Sequence, residues 1–228
     1  MANKYLARDD APFGSEVWEA LDHAMVEAAK GLLVGRRILE LEGPYGLGLK
    51  SVPLKDKTTE SGLIAGDALP LILIQEGFDL AARDLANFEM QGITLDRSAA
   101  AEAALSVAER EDELIFKGSE ELGVEGLMTA EGANKMELSD WSDVGAAAND
   151  LIQAVTALDE AGFHGPYTLA LAPARYNLLF RRYERGNVSE MEHVKTLVSD
   201  GVYKAPALEA GGVLLSTGRQ YASIVMGQ

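Results

Sequence analysis

Residues 47–80 hold too little apolar chain in one place to build a core of their own. Their apolar pieces, 47–54 and 69–74, are short, and the charged and polar segment 55–61 separates them. This pattern reads as extended chain, a long β-hairpin or arm rather than a compact unit. An isolated hairpin is marginal in water. A chain that carries one must rest it on something else, and that requirement limits the folds open to it.

The rest supplies ordinary globular material. Of 228 residues, 47% are hydrophobic and 25% charged, enough for one large domain or two small ones. Residues 15–34 read as an amphipathic helix, with Ser15 as cap, Val17, Leu21, Met25, Ala28 and Leu32 on one stripe, and Gly35 just past its end. Residues 36–42 read as a short strand, and GPYGLG at 43–48 forces a turn. The longest helix is expected over 96–122, a third over 140–161 up to Gly162, and two short ones over 174–183 and 189–199. Strands are expected at 167–171, 202–205, 213–216 and 222–226. The class is mixed α+β with an extended arm.

The long helix poses the sharpest chemical question, because EREDELIFKGSEE (109–121) is dense in acids. Paired catalytic carboxylates need one member dry enough to keep its proton. A helix face carrying Glu109, Asp112, Glu113 and Glu120 is more easily wet, and Glu113 and Lys117 stand in the favourable i, i+4 order. The face reads as solvated or salt-bridged framework.

Other chemistry fails on spacing. GPYGLGLKS (43–51) places Leu49 between Gly48 and Lys50, which breaks the phosphate-loop register. With no cysteine, thiol nucleophiles, Cys-ligated zinc and disulfides are excluded. His23, His164 and His193 form no His-Glu-x-x-His pair. Glu190 and His193 give a single Glu-x-x-His, where a di-iron bundle needs two. No nucleophile elbow occurs. Trp18 and Trp141 read as packing anchors, and Arg181, Arg182 and Arg185 as an exposed helix end. A net charge of −16 repels nucleic-acid backbones. Neither a signal peptide nor an apolar run of membrane-spanning length is visible, so the expectation is a cytoplasmic protein with no catalytic residues, metal or cofactor.

Three blocks then carry a resemblance: GRRILELEGPYG (35–46), AEREDELIFKGSEELGVEGL (108–127) and GPYTLALAPARY (165–176). In this order and separation they resemble the family 1 encapsulins, nanocompartment shell proteins once grouped with linocin-type bacteriocins. Ala11-Pro12, Trp18 and Leu21-Asp22 fit the family's N-terminal pattern, and the likeness extends over essentially the whole chain. The resemblance implies the major-capsid fold of tailed bacteriophages and self-assembly into a closed icosahedral shell. It divides the chain into an N-terminal arm and helix (1–46), an extended loop (47–80), a peripheral domain (81–129) with its spine helix, an axial domain (130–205) and a return to the peripheral domain (206–228). It also implies cargo enzymes, such as a ferritin-like iron oxidase or a dye-decolourising peroxidase, held by C-terminal targeting peptides. The candidate peptide-binding residues are Leu21, Met25, Leu32, Arg36 and Glu40, and the candidate pore loop is Glu184, Arg185, Gly186, Asn187 and Val188. Family members usually continue some tens of residues further, so the chain reads as shortened at its C-terminus. The competing readings are a phage or prophage capsid protein, which would package DNA, and a bacteriocin- or peptidase-like factor.

Overall fold

The computed structural model describes residues 4–228, so the first three residues of the expected N-terminal arm lie outside the described residues. In chain order the helices and strands are α1 (Ser15–Lys30), α2 (Gly35–Ile38), β1 (Glu40–Glu42), β2 (Ser51–Pro53), β3 (Lys57–Thr58), β4 (Ile64–Ala65), β5 (Ala68–Pro70), α3 (Ala82–Gln91), α4 (Ser98–Lys117), β6 (Gly118–Ser119), β7 (Val124–Glu125), α5 (Ala146–Glu160), β8 (Tyr167–Leu171), α6 (Pro173–Leu178), α7 (Glu190–Leu197), β9 (Val202–Lys204), β10 (Gly212–Ser216) and β11 (Ser223–Val225). They pack as two units. One runs from the start of the described chain to Leu32 and includes Ile74–Arg110; the other comprises Leu33–Leu73 and Glu111–Gln228.

In the first unit, the stripe on α1 turns inward. Val17 and Leu21 are fully buried with Leu95 and Ala100, and Phe13, Trp18, Met25, Phe78 and Phe88 close around them. Gly14, not Ser15, is the N-cap residue, and the helix stops at Lys30 rather than at 34, with Gly31 as its C-cap. Helix α3 falls between the arm and the long helix, in chain for which no element was expected in particular, and it ends on Gly92 in the left-handed region.

The second unit is organised around β8, whose five residues are all buried. It is the middle strand of a three-stranded sheet, antiparallel to β10 and parallel to β9. The two-residue alternation of a strand divides its side chains between two cores. Tyr167, Leu169 and Leu171 join Trp141, Leu151, Leu179, Met191 and Val194. Ala170 and Ala172 join Val34, Ile38, Phe116 and Leu208.

Several expected boundaries move, each for a local reason. Gly35 does not terminate α1; it opens α2, where an added Cβ would lie 2.6 Å from Ile115 Cδ1. The strand expected over 36–42 keeps only Glu40–Glu42, because 35–38 coil into α2. Helix α4 ends at Lys117 instead of 122, because Gly118 takes φ +73° and starts a small hairpin with β7. Helix α5 begins at Ala146 instead of 140, since 141–145 form turns that insert Trp141 into the core. Helix α6 stops at Leu178 rather than 183, and α7 at Leu197 rather than 199.

Candidate functional site

The arm is a ladder with almost nothing beneath it. β2 pairs antiparallel with β5, and β3 with β4, around a tip where Thr59 N–H donates to Leu63 C=O at 2.9 Å. Lys57 Nζ holds Asp67 at 2.8 Å. Leu63 and Ile64 at the tip are each 69% exposed, and Leu54 and Leu69 are exposed as well. Four apolar side chains on one short hairpin are thus left without a core in the subunit. At its root the arm is fixed: Tyr45 N–H donates to Met226 C=O at 3.0 Å, and β1 runs parallel to β11 with Leu41 opposite Ile224.

The expected peptide-binding residues separate in character. Leu21 is corrected: it is fully buried in its own unit's core and has no surface to offer a peptide. Met25 and Leu32 are half-buried. Arg36 is exposed but engaged, its guanidinium forked on Glu111 at 2.5 and 2.7 Å, and that hydrogen-bonded carboxylate raises its pKa further. Glu40 is exposed and borders an open cleft of about 380 Å³ lined also by Arg37, Leu39, Pro166, Asp200 and Thr217. The cleft joins four distant stretches of chain, so spacing within any one of them carried no sign of it.

Residues 184–188 form the exposed tip of a tight loop, closed below by an antiparallel bridge between Arg182 and Ser189. Arg182 donates to the Asn187 side chain across it. Arg181, expected at an exposed helix end, instead turns inward and donates to the carbonyls of Leu178 at 3.0 Å and Ser142 at 2.6 Å.

The acids are framework. Asp112, expected on a wet face, is buried; its carboxylate accepts from Val34 N–H at 2.8 Å and Gly35 N–H at 3.0 Å and so caps α2. Burial pushes its carboxyl above the usual aspartate value, against those two bonds. Glu113 and Lys117 do pair, at 3.5 Å, and Lys117 also reaches Glu209 at 3.2 Å. Glu190 and His193 serve different partners. Glu190 accepts from Gly145 and Ala148 N–H, whereas His193 Nδ1 shares a 2.8 Å bond with Tyr183 Oη. Among the described residues, no group of three or more His, Asp or Glu could hold a metal, and no helix is long and apolar enough to cross a membrane.

The Linocin_M18 family, described as encapsulating protein for peroxidase, matches residues 3–228. The chain belongs to the encapsulin family. One encapsulin relative, the type 1 encapsulin shell protein EncA of Myxococcus xanthus, is 37% identical over 232 residues, spanning 95% of this chain and 81% of that protein. A diheme-cytochrome-encapsulin shell fusion protein of Kuenenia stuttgartiensis is 37% identical over 204 residues, covering 83% of this chain and 56% of the fusion. Its other segments have no counterpart in the match. The crystal structure of a virus-like particle from Pyrococcus furiosus superposes with a TM-score of 0.66 at 23% identity, over 85% of this chain and 76% of that one. The encapsulin chain therefore has a capsid-like α+β fold, and these relatives are named as shell proteins, not as enzymes.

Proposed function

We propose that the chain is a structural shell subunit. Copies assemble into a closed icosahedral nanocompartment in the cytoplasm and enclose cargo enzymes held by their C-terminal peptides. The observation that carries this reading is the hairpin from β2 to β5, which leaves Leu54, Leu63, Ile64 and Leu69 exposed in a member of the encapsulin family. Laid on a neighbouring copy, those side chains leave water at roughly 25 cal/mol per Å². A closed point-group arrangement repeats that contact without open-ended growth.

In this reading 47–80 is the loop that clasps a neighbour, 81–129 belongs to the peripheral domain and 130–205 to the axial domain, 206–228 returns to the peripheral domain, and 184–188 borders a pore. The cargo tail docks at the cleft beside Glu40, where a carboxylate and apolar walls suit an extended peptide with a cationic or amide group. The cargo is an oxidative enzyme such as a dye-decolourising peroxidase or a ferritin-like iron oxidase. The capsid alternative is less well supported, because a charge of −16 opposes packaged DNA.

Negative-stain microscopy with size-exclusion chromatography tests the proposal on the protein expressed with and without a fusion partner bearing a cargo tail. Hollow particles that retain the tailed partner are expected. A folded chain that elutes as a monomer or dimer at micromolar concentration would overturn it.

A further inference from the structure

The loop at 184–188 stands on two stems joined by a single bridge, and the charged residue at the base of each, Arg181 after α6 and Glu190 at the start of α7, reaches the same stretch of chain. Tyr183 N–H donates to Val188 C=O at 3.2 Å, and Glu190 N–H to Arg181 C=O at 2.9 Å, on either side of the Arg182–Ser189 bridge. Arg181 donates to Ser142 C=O at 2.6 Å and Asp143 C=O at 3.5 Å. Glu190 Oε1 accepts from Gly145 N–H at 2.9 Å and Ala148 N–H at 3.1 Å. Both stems therefore grip the turn that begins α5. Glu190 is fully buried, its Oε2 has no hydrogen-bond partner among the described residues, and the Arg181 guanidinium faces it at 3.7 Å. Met191 and Leu179 anchor the same stems in the core below, joined by a 2.7 Å backbone bond.

We infer that Arg181 and Glu190 are paired positioning residues, a buried clamp that makes the 182–189 hairpin and the N-terminal end of α5 one rigid piece. Neither can release alone. Withdrawing Arg181 leaves a dry carboxylate without its countercharge, and withdrawing Glu190 leaves two N–H groups, those of Gly145 and Ala148, without an acceptor. The tip at 184–188 is thereby held in one place while it stays exposed. The clamp stands on these contacts; its consequence, an opening of set width at that tip, rests on the shell reading.

The test is residue-resolved hydrogen exchange on the full chain. In the unaltered protein, the amides of Tyr183, Gly145 and Ala148 are expected to open together, within about threefold of one another. Arg181→Met and Glu190→Leu are each expected to raise all three openings by about tenfold or more, while the Leu169 amide of β8 and the Trp141 fluorescence stay unchanged. Arg181→Lys, which keeps the charge opposite Glu190, should restore part of the protection. Tyr183→Phe, which removes only the bond to His193, should leave all three amides as they were. The inference is overturned if Tyr183 opens about tenfold more readily than Gly145 and Ala148 in the unaltered protein, or if both variants leave it unmoved. If the two variants fail to fold, the unaltered protein and Tyr183→Phe decide. Particle size on the same samples separates the two readings. A rigid hairpin in a chain that never assembles refutes the shell alone, and a loose tip on intact particles refutes the clamp alone.

Discussion

Asp150 is a single side chain on which a whole corner of the second unit depends. Its Oδ2 accepts from Trp141 Nε1 at 2.8 Å, Ser139 N–H at 2.8 Å and Ser139 Oγ at 2.9 Å. Asp150→Ala strips the acceptor from a buried indole and is expected to cost about 2–4 kcal/mol. Urea unfolding followed by Trp141 fluorescence, in a Trp18→Phe background, measures it. Burial works to raise the Asp150 carboxyl, but the donors from Trp141 and Ser139 and the Arg175 charge outweigh it and hold the group below the usual aspartate value. A depressed folded pKa gives stability that is present above the unfolded value of about 3.9 and lost as pH falls through the folded one. The urea midpoint should therefore decline below about pH 4, and Asp150→Asn should remove that part of the decline. Asp112 has the opposite sign. Its raised carboxyl favours folding below the unfolded value, and that contribution is lost as pH rises through the folded one.

Among the elements, the arm separates subunit stability from assembly. Leu63 and Ile64 touch water in the subunit, so replacing both with Asp should shift unfolding by only about 0.5 kcal/mol or less. The same pair should abolish particles, because the new carboxylates would meet what had been an apolar contact. Urea unfolding and particle sizing on one sample check both halves; loss of fold together with loss of particles would count against this assignment. The arm was legible in the sequence for a physical reason: short apolar pieces around a polar segment cannot bury themselves. Strand β8 was legible to the residue, because YTLAL is buried on both faces and bounded by Pro166 and Pro173. Helix ends were less so. Gly118 stops α4 because its backbone is needed against Val124 and Glu125, a contact no local pattern declares. The stripe on α1 was read correctly as a stripe, but whether it meets a partner or its own core depends on Leu95 and Ala100, far along the chain. The dry acids were hidden altogether. Asp112 and Glu190 look like any surface carboxylate until the distant N–H groups that donate to them are in place.

For the molecule as a whole, charge is the main opponent of association. Each chain carries −16, so copies repel one another at low ionic strength. Screening shortens from about 30 Å at 0.01 M salt to about 3 Å at 1 M. Assembly should accordingly be more complete in concentrated than in dilute sodium chloride. Light scattering across a salt series checks this, and a yield that fell with added salt would point to ion pairs, not apolar contacts, as the dominant joint. Finally, the arm grows from a root that ties an early stretch of the second unit to a late one: Glu40 lies opposite Ser223, and Tyr45 N–H donates to Met226 C=O. During translation that root has no mate until Ser223–Met226 have left the ribosome. A nascent chain therefore cannot present a firmly seated arm to its siblings, and recruitment is reserved for polypeptides whose synthesis has run past Met226.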